Sequence, residues 1–228
     1  MLSLVGLGLR DGDISLRGLE ALERADRAYA EFYTNPAEYD LGVLEERTGT
    51  GIEILDRSEV EEKGRVVETA VEEDVVFLVS GDPLAATTHQ DVLFRARERG
   101  IETEVIHAPS IFTAVAETGL SLYKFGRTTT LTLQNGEVPG SVLEAIERNR
   151  EDGLHTLVLV DPELPLDEML EAFAERWDSE VLLCSGLGTP ESELGRDRPE
   201  NFPRSDLDQP VSIVVTGVLS GNEEERLE

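Results

Sequence analysis

The sequence predicts an α/β fold of two αβα lobes, and two observations support this prediction. Short apolar strands alternate with segments of helical periodicity along almost the whole chain, which is typical of sheets layered with helices. The alternation is interrupted near residues 108–120, and strand–helix units lie on both sides of the interruption. A length of 228 residues suits two small domains. We therefore expect one lobe over residues 1–109 and a second over residues 110–228.

In the first lobe, apolar or β-branched runs predict strands and apolar residues at helical spacing predict helices. The periodicity of Leu16, Leu19, Leu22 and Ala25 is an example of the helical pattern. Strands alternating with helices indicate parallel sheets with helical crossovers. The predicted strands cover 2–7, 27–30, 52–55, 75–79 and 102–106, and the predicted helices cover 16–25, 60–71 and 92–96.

The second lobe shows the same alternation, beginning with a short helix that runs to residue 116. The predicted strands cover 128–132, 154–160, 181–184 and 211–215, and further helices cover 141–148 and 166–173. The acidic tail, 221–228, is expected to fray.

The composition excludes several classes of protein. Hydrophobic residues make up 39% and charged residues 30% of the chain, so extended disorder is not expected. Cys184 is the single cysteine, which excludes an internal disulfide, and three histidines without metal-ligand spacing predict no metal site. The first apolar run is too short for a membrane span and lacks the features of a signal peptide. We expect a cytoplasmic protein that does not bind membranes.

The charge balance indicates the environment in which the protein works. Forty-eight acidic residues against 20 basic ones give a formal net charge of −28, and lysine occurs only at Lys63 and Lys124. Self-repulsion of this size destabilises a compact chain, but molar salt reduces the screening length to roughly 3 Å. This pattern favours a salt-rich, halophilic cytosol; the alternative is an acidic protein of an ordinary cytosol with few lysines by chance. Without a basic stripe, nucleic acid is not an expected partner.

The segment Gly6-Leu7-Gly8-Leu9 directly follows the first predicted strand, where glycines let a ligand approach the backbone. A dinucleotide fingerprint needs a third glycine three positions later, and that position is Asp11. A carboxylate there would repel a pyrophosphate, so NAD and FAD are disfavoured. A tight turn without a ligand is the alternative interpretation.

Two further segments follow predicted strands, at the sheet edge where α/β proteins bind ligands. In Ser80-Gly81-Asp82-Pro83-Leu84-Ala85-Ala86-Thr87-Thr88-His89, Asp82 is either a ligand-binding carboxylate or a turn-forming one. In His107-Ala108-Pro109-Ser110-Ile111, Ser110 is either an ordinary helix cap or the start of a carboxylate-binding site.

Two segments of the second lobe are further candidates for functional residues. Tyr123-Lys124-Phe125-Gly126-Arg127 places two cations and two aromatic rings around a glycine, as either surface or partner-binding residues. His155, within a predicted strand, is interpreted as a core histidine. No nucleophile elbow, phosphate-binding loop or pair of catalytic carboxylates occurs in the sequence.

Together, these segments in this order resemble the archaeal diphthine synthases, within the tetrapyrrole-methylase-like group of methyltransferases. The resemblance extends from residue 1 to about residue 161 and weakens afterwards, where the chain is shorter than typical members. Gly81-Asp82-Pro83 marks the wider group, whereas Thr87-Thr88-His89 and His107-Ala108-Pro109-Ser110-Ile111 are more specific.

This resemblance implies two αβα lobes with S-adenosylmethionine in the cleft between them, in a homodimer. It also implies methylation of the amino group on the modified histidine of translation elongation factor two, which would be the protein partner. No catalytic side chain is assigned, because the sequence does not identify the group that deprotonates the substrate amine. Backbone atoms make many of the cofactor contacts in this group, so the contact residues need not be polar. The implied cofactor contacts are Leu9, Asp82, Ala85, Ser110, Ile111 and Val160, with Gly186 and Val211 aligned less securely.

Two other functions are compatible with the sequence. One is methylation of a corrin or other tetrapyrrole precursor, which shares the fold and the Gly81-Asp82-Pro83 loop. The other is a non-catalytic module that binds adenosyl ligands. The Thr87-Thr88-His89 extension favours the diphthine-forming enzyme over the corrin enzyme.

The charge predicts that folding depends on salt. The melting temperature should rise steeply between dilute buffer and molar potassium chloride, because screening removes the repulsion of a −28 chain. Thermal unfolding followed by circular dichroism across a salt series measures this. A melting temperature that does not change with salt would contradict the prediction.

Overall fold

The computed structural model describes residues 1–35, 37, 39–202 and 210–227. Contacts divide the chain into two compact units, Met1–Phe112 and Thr113–Glu228. Each unit contains a five-stranded sheet with associated helices, which confirms the α/β fold class. The boundary that we predict between residues 109 and 110 lies close to this division.

The first unit contains an all-parallel sheet with the strand order β3-β2-β4-β1-β5. Because all five strands run in the same direction, their carboxyl ends meet at one edge of the sheet, where ligands bind in folds of this kind. The strands are β1 Leu2–Gly6, β2 Arg27–Glu31, β3 Ile52–Ile54, β4 Val75–Val79 and β5 Thr103–Ile106.

The helices of this unit follow the predicted pattern with one division and one addition. The predicted helix over 60–71 is divided into a π-helical turn, Ser58–Glu62, and a short α-helix, because Gly64 has a φ of +63°. The second helix was not predicted, since none of its residues is buried and it therefore lacks a clear apolar stripe. The helices are α1 Leu16–Arg24, α2 Leu41–Thr48, α3 Arg65–Thr69 and α4 Gln90–Glu98.

The central strands of the first sheet, β2, β4 and β1, are buried on both faces. Alternate residues of β4 point to opposite faces, so that Phe77 packs with α3 and α4 while Leu78 packs with α1. Burial on both faces explains why β4 is apolar throughout and was recognisable from the sequence.

The second unit contains a mixed sheet with the order β6-β7-β10-β8-β9. Only β6 and β7 are parallel; β10 is antiparallel to β7 and β8, and β9 is antiparallel to β8. The expectation of parallel sheets is therefore wrong for this unit. The loop over 186–192 that joins β8 to β9 is too short for a helical crossover, so these strands pair antiparallel. The strands are β6 Thr129–Leu131, β7 Thr156–Val160, β8 Val181–Ser185, β9 Glu193–Asp197 and β10 Val211–Val215.

The two longer helices of this unit, Gly140–Glu151 and Leu166–Ala174, cover one face of this sheet. Ile146 and Phe173 are fully buried there against Val158 and Ile213. The remaining α-helices of the described residues are α5 Ile111–Ala114, α6 Gly140–Glu151, α7 Leu166–Ala174 and α8 Gly221–Leu227.

The expectation of a frayed tail is wrong, because Glu223 anchors α8 in the second unit. Its side chain is 3% exposed and pairs with the ammonium group of Lys124. It also accepts hydrogen bonds from the amides of Ser220 (2.8 Å) and Ser121 (3.0 Å) and contacts His155 Nε2 at 3.2 Å. Burial alone would raise the pKa of Glu223, but these bonds outweigh it and lower the pKa below its ordinary value.

His155 is a buried, neutral part of the same cluster, which agrees with its interpretation as a core residue. The amide of Gly217 donates to His155 Nδ1 at 3.0 Å, so the ring proton lies on Nε2 and points to Glu223. Burial lowers the pKa of His155, and the contact with Glu223 opposes this only in part.

In the part of the chain that the structure describes, no helix combines the length and apolar character required to cross a bilayer. Those residues also contain no group of three or more His, Cys, Asp or Glu side chains placed to hold a metal ion.

The cluster predicts a large effect of one substitution in α8. Glu223→Gln should lower the free energy of unfolding by about 3 kcal/mol, because Lys124 then loses the charged partner of a largely buried ion pair. Glu224→Gln, at the exposed neighbouring position, is the matched control. Denaturant titration in molar salt compares the two variants, and equal losses would contradict the assignment.

A comparison of the wild type with Glu223→Gln also tests the pH dependence of stability. Because the pKa of Glu223 is lowered in the folded state, its stabilisation is present above the ordinary value of 4.5 and is lost as the pH falls below it. The stability difference between the wild type and Glu223→Gln should therefore shrink in acid. A difference that stays constant down to the acid transition would show that this carboxylate does not contribute as proposed.

Candidate functional site

In the first unit, the loops after β1, β4 and β5 are tightly packed together at the carboxyl edge. Gly8 and Gly81 exchange two backbone hydrogen bonds, of 3.2 and 2.7 Å. A Cβ atom on Gly6 would lie 2.6 Å from the carbonyl oxygen of Gly81 and 2.7 Å from Cβ of Ala108. Only glycine fits at this point, and the close approach fixes the relative positions of the three loops.

Asp82 joins two of these loops through its carboxylate. Oδ1 accepts a hydrogen bond from the amide of Leu84 (3.0 Å), and Oδ2 accepts one from the amide of Ala108 (3.2 Å). Oδ2 also lies 2.7 Å from Nδ1 of His107. Both oxygens are thus engaged within the protein, in agreement with the turn-forming interpretation. Asp82 therefore links the loop after β4 to the loop after β5.

The other predicted contacts of this unit lie at the same edge. Leu9 follows β1, Ala85 follows β4, and Ser110 and Ile111 mark the start of α5. The amide of Leu9 donates to Asp13 Oδ2 at 3.1 Å, which fixes the loop after β1.

Gly81 provides room for a ligand beside the backbone. Its φ is +69°, and a Cβ at this position would meet nothing within 4 Å. The open space at the beginning of the Asp82 loop fits the close backbone approach expected of a bound small molecule.

In the second unit, the three predicted contacts also share one sheet edge. Val160 ends β7, Gly186 follows β8, and Val211 begins β10. Because β10 is antiparallel to both neighbours, its first residue lies beside their last residues. The amide of Gly186 donates to the carbonyl of Pro210 at 3.1 Å. This bond joins the residue after β8 to the residue before β10.

Sequence reasoning missed a polar group that supports the first of these edges. The hydroxyl of Tyr39 donates to the carbonyl oxygen of Gly8 (2.7 Å) and lies 3.0 Å from Ser80 Oγ, which also accepts from Asn35 Nδ2 (2.9 Å). Burial raises the pKa of Tyr39, so its phenol keeps the proton that it donates. Ser80 adjoins the Gly81 motif, but no motif marks Tyr39 or Asn35.

A cavity of about 320 Å³ lies in the first unit beside the loop after β1. The predicted cofactor contacts do not line it; Tyr39, Asp11 and the apolar side chains of α1 and α2 do.

The segment Tyr123–Arg127 divides into exposed and structural residues. Tyr123 is 99% exposed, whereas Phe125 packs edge-on against His155 with ring centroids 5.4 Å apart. Lys124 donates to the carbonyl of Val218 (2.6 Å) besides pairing with Glu223. Lys124 therefore supports the second unit and is not a free surface cation.

The chain is similar to known proteins over nearly its whole length. The sequence profile of the tetrapyrrole (corrin/porphyrin) methylases matches residues 1–201. The diphthine synthase of Halobacterium salinarum is 39% identical over 236 residues, covering 94% of this chain and 91% of that protein. The diphthine synthase of Methanothermobacter thermautotrophicus is 46% identical over 167 residues, covering 72% and 63% respectively.

Solved structures give the same result. A crystal structure of diphthine synthase has a TM-score of 0.87 with 34% sequence identity, covering 99% of this chain and 94% of that one. These matches show a methyltransferase that takes its methyl group from S-adenosylmethionine. The chain belongs to the tetrapyrrole methylase family, as its motifs predict.

The role of Asp82 leads to a testable difference between two carboxylates. Asp82→Ala should weaken binding of S-adenosylmethionine by about 10- to 100-fold, because charge-assisted bonds of about 1.5–3 kcal/mol hold its loop. Asp11→Ala should have little effect, since Asp11 is exposed and accepts a single hydrogen bond, from the amide of Asp40. Titration calorimetry in molar salt gives both dissociation constants. Equal constants for the two variants would refute the assignment.

Proposed function

We propose that this enzyme methylates the amino group on the modified histidine of translation elongation factor two, the diphthine-forming step of diphthamide synthesis. The observation that carries the proposal is the 39% identity to a diphthine synthase across 94% of the chain. The chain spans 91% of that relative and 94% of the solved diphthine synthase, so the shortening after residue 161 is small. A tetrapyrrole acceptor has no comparable support beyond the family itself.

The cofactor contacts proposed for this chain are the residues at the two sheet edges. Asp82 would hold the loops around the cofactor. Ala85, Ile111 and Val160 would contact the cofactor through backbone atoms and apolar side chains. The open space beside Gly81 and the loops closed around Asp82 support this assignment. The contacts are Leu9, Asp82, Ala85, Ser110, Ile111, Val160, Gly186 and Val211.

The chemistry needs few polar side chains from the protein. S-adenosylmethionine supplies a methyl group on an already activated sulfonium, so the transfer to a neutral amine is an in-line displacement. The task of the loops is to hold the two reactants in line and to exclude water. Loops locked by Gly6, Gly81 and Asp82 suit that task, because a rigid site does not have to be ordered when the reactants bind.

The proposal extends to the setting of the enzyme. The net charge of −28 supports a salt-rich cytoplasm, and the archaeal relatives support an enzyme of the archaeal type. That it acts as a homodimer is proposed on the resemblance of its motifs to the family.

The substrate assignment is tested by labelled methyl transfer in molar salt. The acceptors are elongation factor two that carries the aminocarboxypropyl group on its histidine, the unmodified factor, and a corrin precursor. We expect label only in the modified factor, because it alone presents a primary amine on a flexible arm. Equal transfer to the unmodified factor, or transfer to the corrin alone, would show that the substrate assignment is wrong.

A further inference from the structure

Two ionisable residues of the first unit are buried away from the proposed cofactor contacts and are not used by the chemistry above. Glu31 is 0% and His89 1% exposed, although both are polar. Glu31 ends β2, and His89 immediately precedes α4, at the end of the loop that carries Asp82. These two residues connect the end of β2 to the loop that follows β4.

The hydrogen bonds around His89 have a defined direction. The amide of His89 donates to Thr87 Oγ1 at 3.3 Å, and Thr87 Oγ1 lies 2.6 Å from His89 Nδ1. Nε2 faces Glu31 Oε1 at 3.5 Å, and a carboxylate oxygen there favours the tautomer with the ring proton on Nε2. Nδ1 is then the acceptor, and the hydroxyl of Thr87 donates to it.

The surroundings keep the His89 ring neutral and in place. Burial lowers the pKa of His89 to about 4, so the ring is uncharged near pH 7. Phe77 packs on it edge-to-face with centroids 5.1 Å apart. On the other side, the carboxylate of Glu31 accepts hydrogen bonds from the amide of Thr34 (3.0 Å) and from its hydroxyl.

The loop between Asp82 and His89 contains a residue in an unfavourable conformation. Ala86 has a φ of +56°, in the left-handed region that residues with a Cβ rarely adopt. Such a conformation persists only when the flanking structure holds it. The bonds of Asp82 hold the beginning of the loop, and the bonds of Thr87 and His89 hold its end.

We propose that His89 is a positioning residue: the chain of contacts Glu31–His89–Thr87 sets the conformation of loop 82–88 and thereby the affinity for S-adenosylmethionine. His89 touches no reactant in this assignment and acts through Thr87. The inference rests on the proposed placement of Asp82 and Ala85 in the cofactor site.

The test compares substitutions that remove the hydroxyl or the ring acceptor with substitutions that keep them. Thr87→Val removes the hydroxyl and Thr87→Ser keeps it; His89→Leu removes the ring nitrogens and His89→Asn keeps an acceptor near the place of Nδ1. Thr88→Val is the matched control, because Thr88 is exposed and its hydroxyl donates to the carboxylate of Glu61, away from His89. Each variant is measured by calorimetric binding of S-adenosylmethionine, thermal unfolding and steady-state kinetics in molar salt.

We expect Thr87→Val and His89→Leu to raise the dissociation constant for S-adenosylmethionine at least tenfold. Thr87→Ser and His89→Asn should stay within about threefold of the wild type, and Thr88→Val should match it. The KM for the methyl donor should rise more than kcat falls, since the reacting atoms are untouched. If His89→Leu fails to fold, the comparison of Thr87→Val with Thr87→Ser still tests the proposal, because Thr87 is partly exposed and its substitution is less disruptive.

Wild-type affinity in Thr87→Val would overturn the proposal, as would an equal loss in Thr87→Ser or in Thr88→Val. Calorimetry separates this result from the substrate assignment, because donor binding is measured without elongation factor two. If the wild type binds the donor but does not methylate the modified factor, the proposed function fails while the positioning role is still decided by the binding data.

Discussion

The close approach of three loops at Gly6 is the constraint on which the first unit depends. The carbonyl oxygen of Gly81 and the side chain of Ala108 occupy the space that a Cβ atom on Gly6 would need. The paired amides of Gly8 and Gly81 and the carboxylate of Asp82 are consequences of this approach, since each bridges loops that are already in contact. A larger residue at Gly6 would separate the loops and disturb all of these contacts together.

Two buried acids show how a strongly acidic chain uses carboxylates as internal anchors. Burial raises the pKa of Glu31, and the hydrogen bonds from Thr34 do not fully compensate. Glu223 is also desolvated, but it receives the ammonium of Lys124 and two backbone amides, and its pKa is lowered instead. The number and charge of the hydrogen-bond donors around each carboxylate decide whether its pKa is raised or lowered. One of the two lysines of the chain is therefore a structural cation in the second unit.

Much of the fold could be predicted because apolar strands are visible in the sequence. β4 and β10 have the predicted bounds, since both are buried throughout. β9 and α2 were missed because they are largely exposed, and their residues are ordered by pairing and position more than by an apolar pattern. The antiparallel course of β10 could not be read from its composition, because an apolar run looks the same in either direction.

The sequence predicted where the residues of the candidate site lie better than it predicted the contacts of their side chains. The order of the motifs predicted the residues that the structure places at the two sheet edges. It did not predict that the oxygens of Asp82 bind Leu84 and Ala108, because a single motif does not show which amides fold back on it. Tyr39 and Glu31 lie outside every motif, since they support the loops from neighbouring elements.

A methyl donor that is already activated explains why this site contains few polar side chains of its own. Where the protein must supply alignment more than charge, the rigidity of the loops determines how well the reactants are held. In the first unit that rigidity comes from a glycine without space for a side chain, a carboxylate bonded to two amides, and a neutral histidine buried against an acid. The residues proposed to touch the donor can then be alanine, isoleucine or valine, because the backbone that these supports hold in place is able to make the polar contacts.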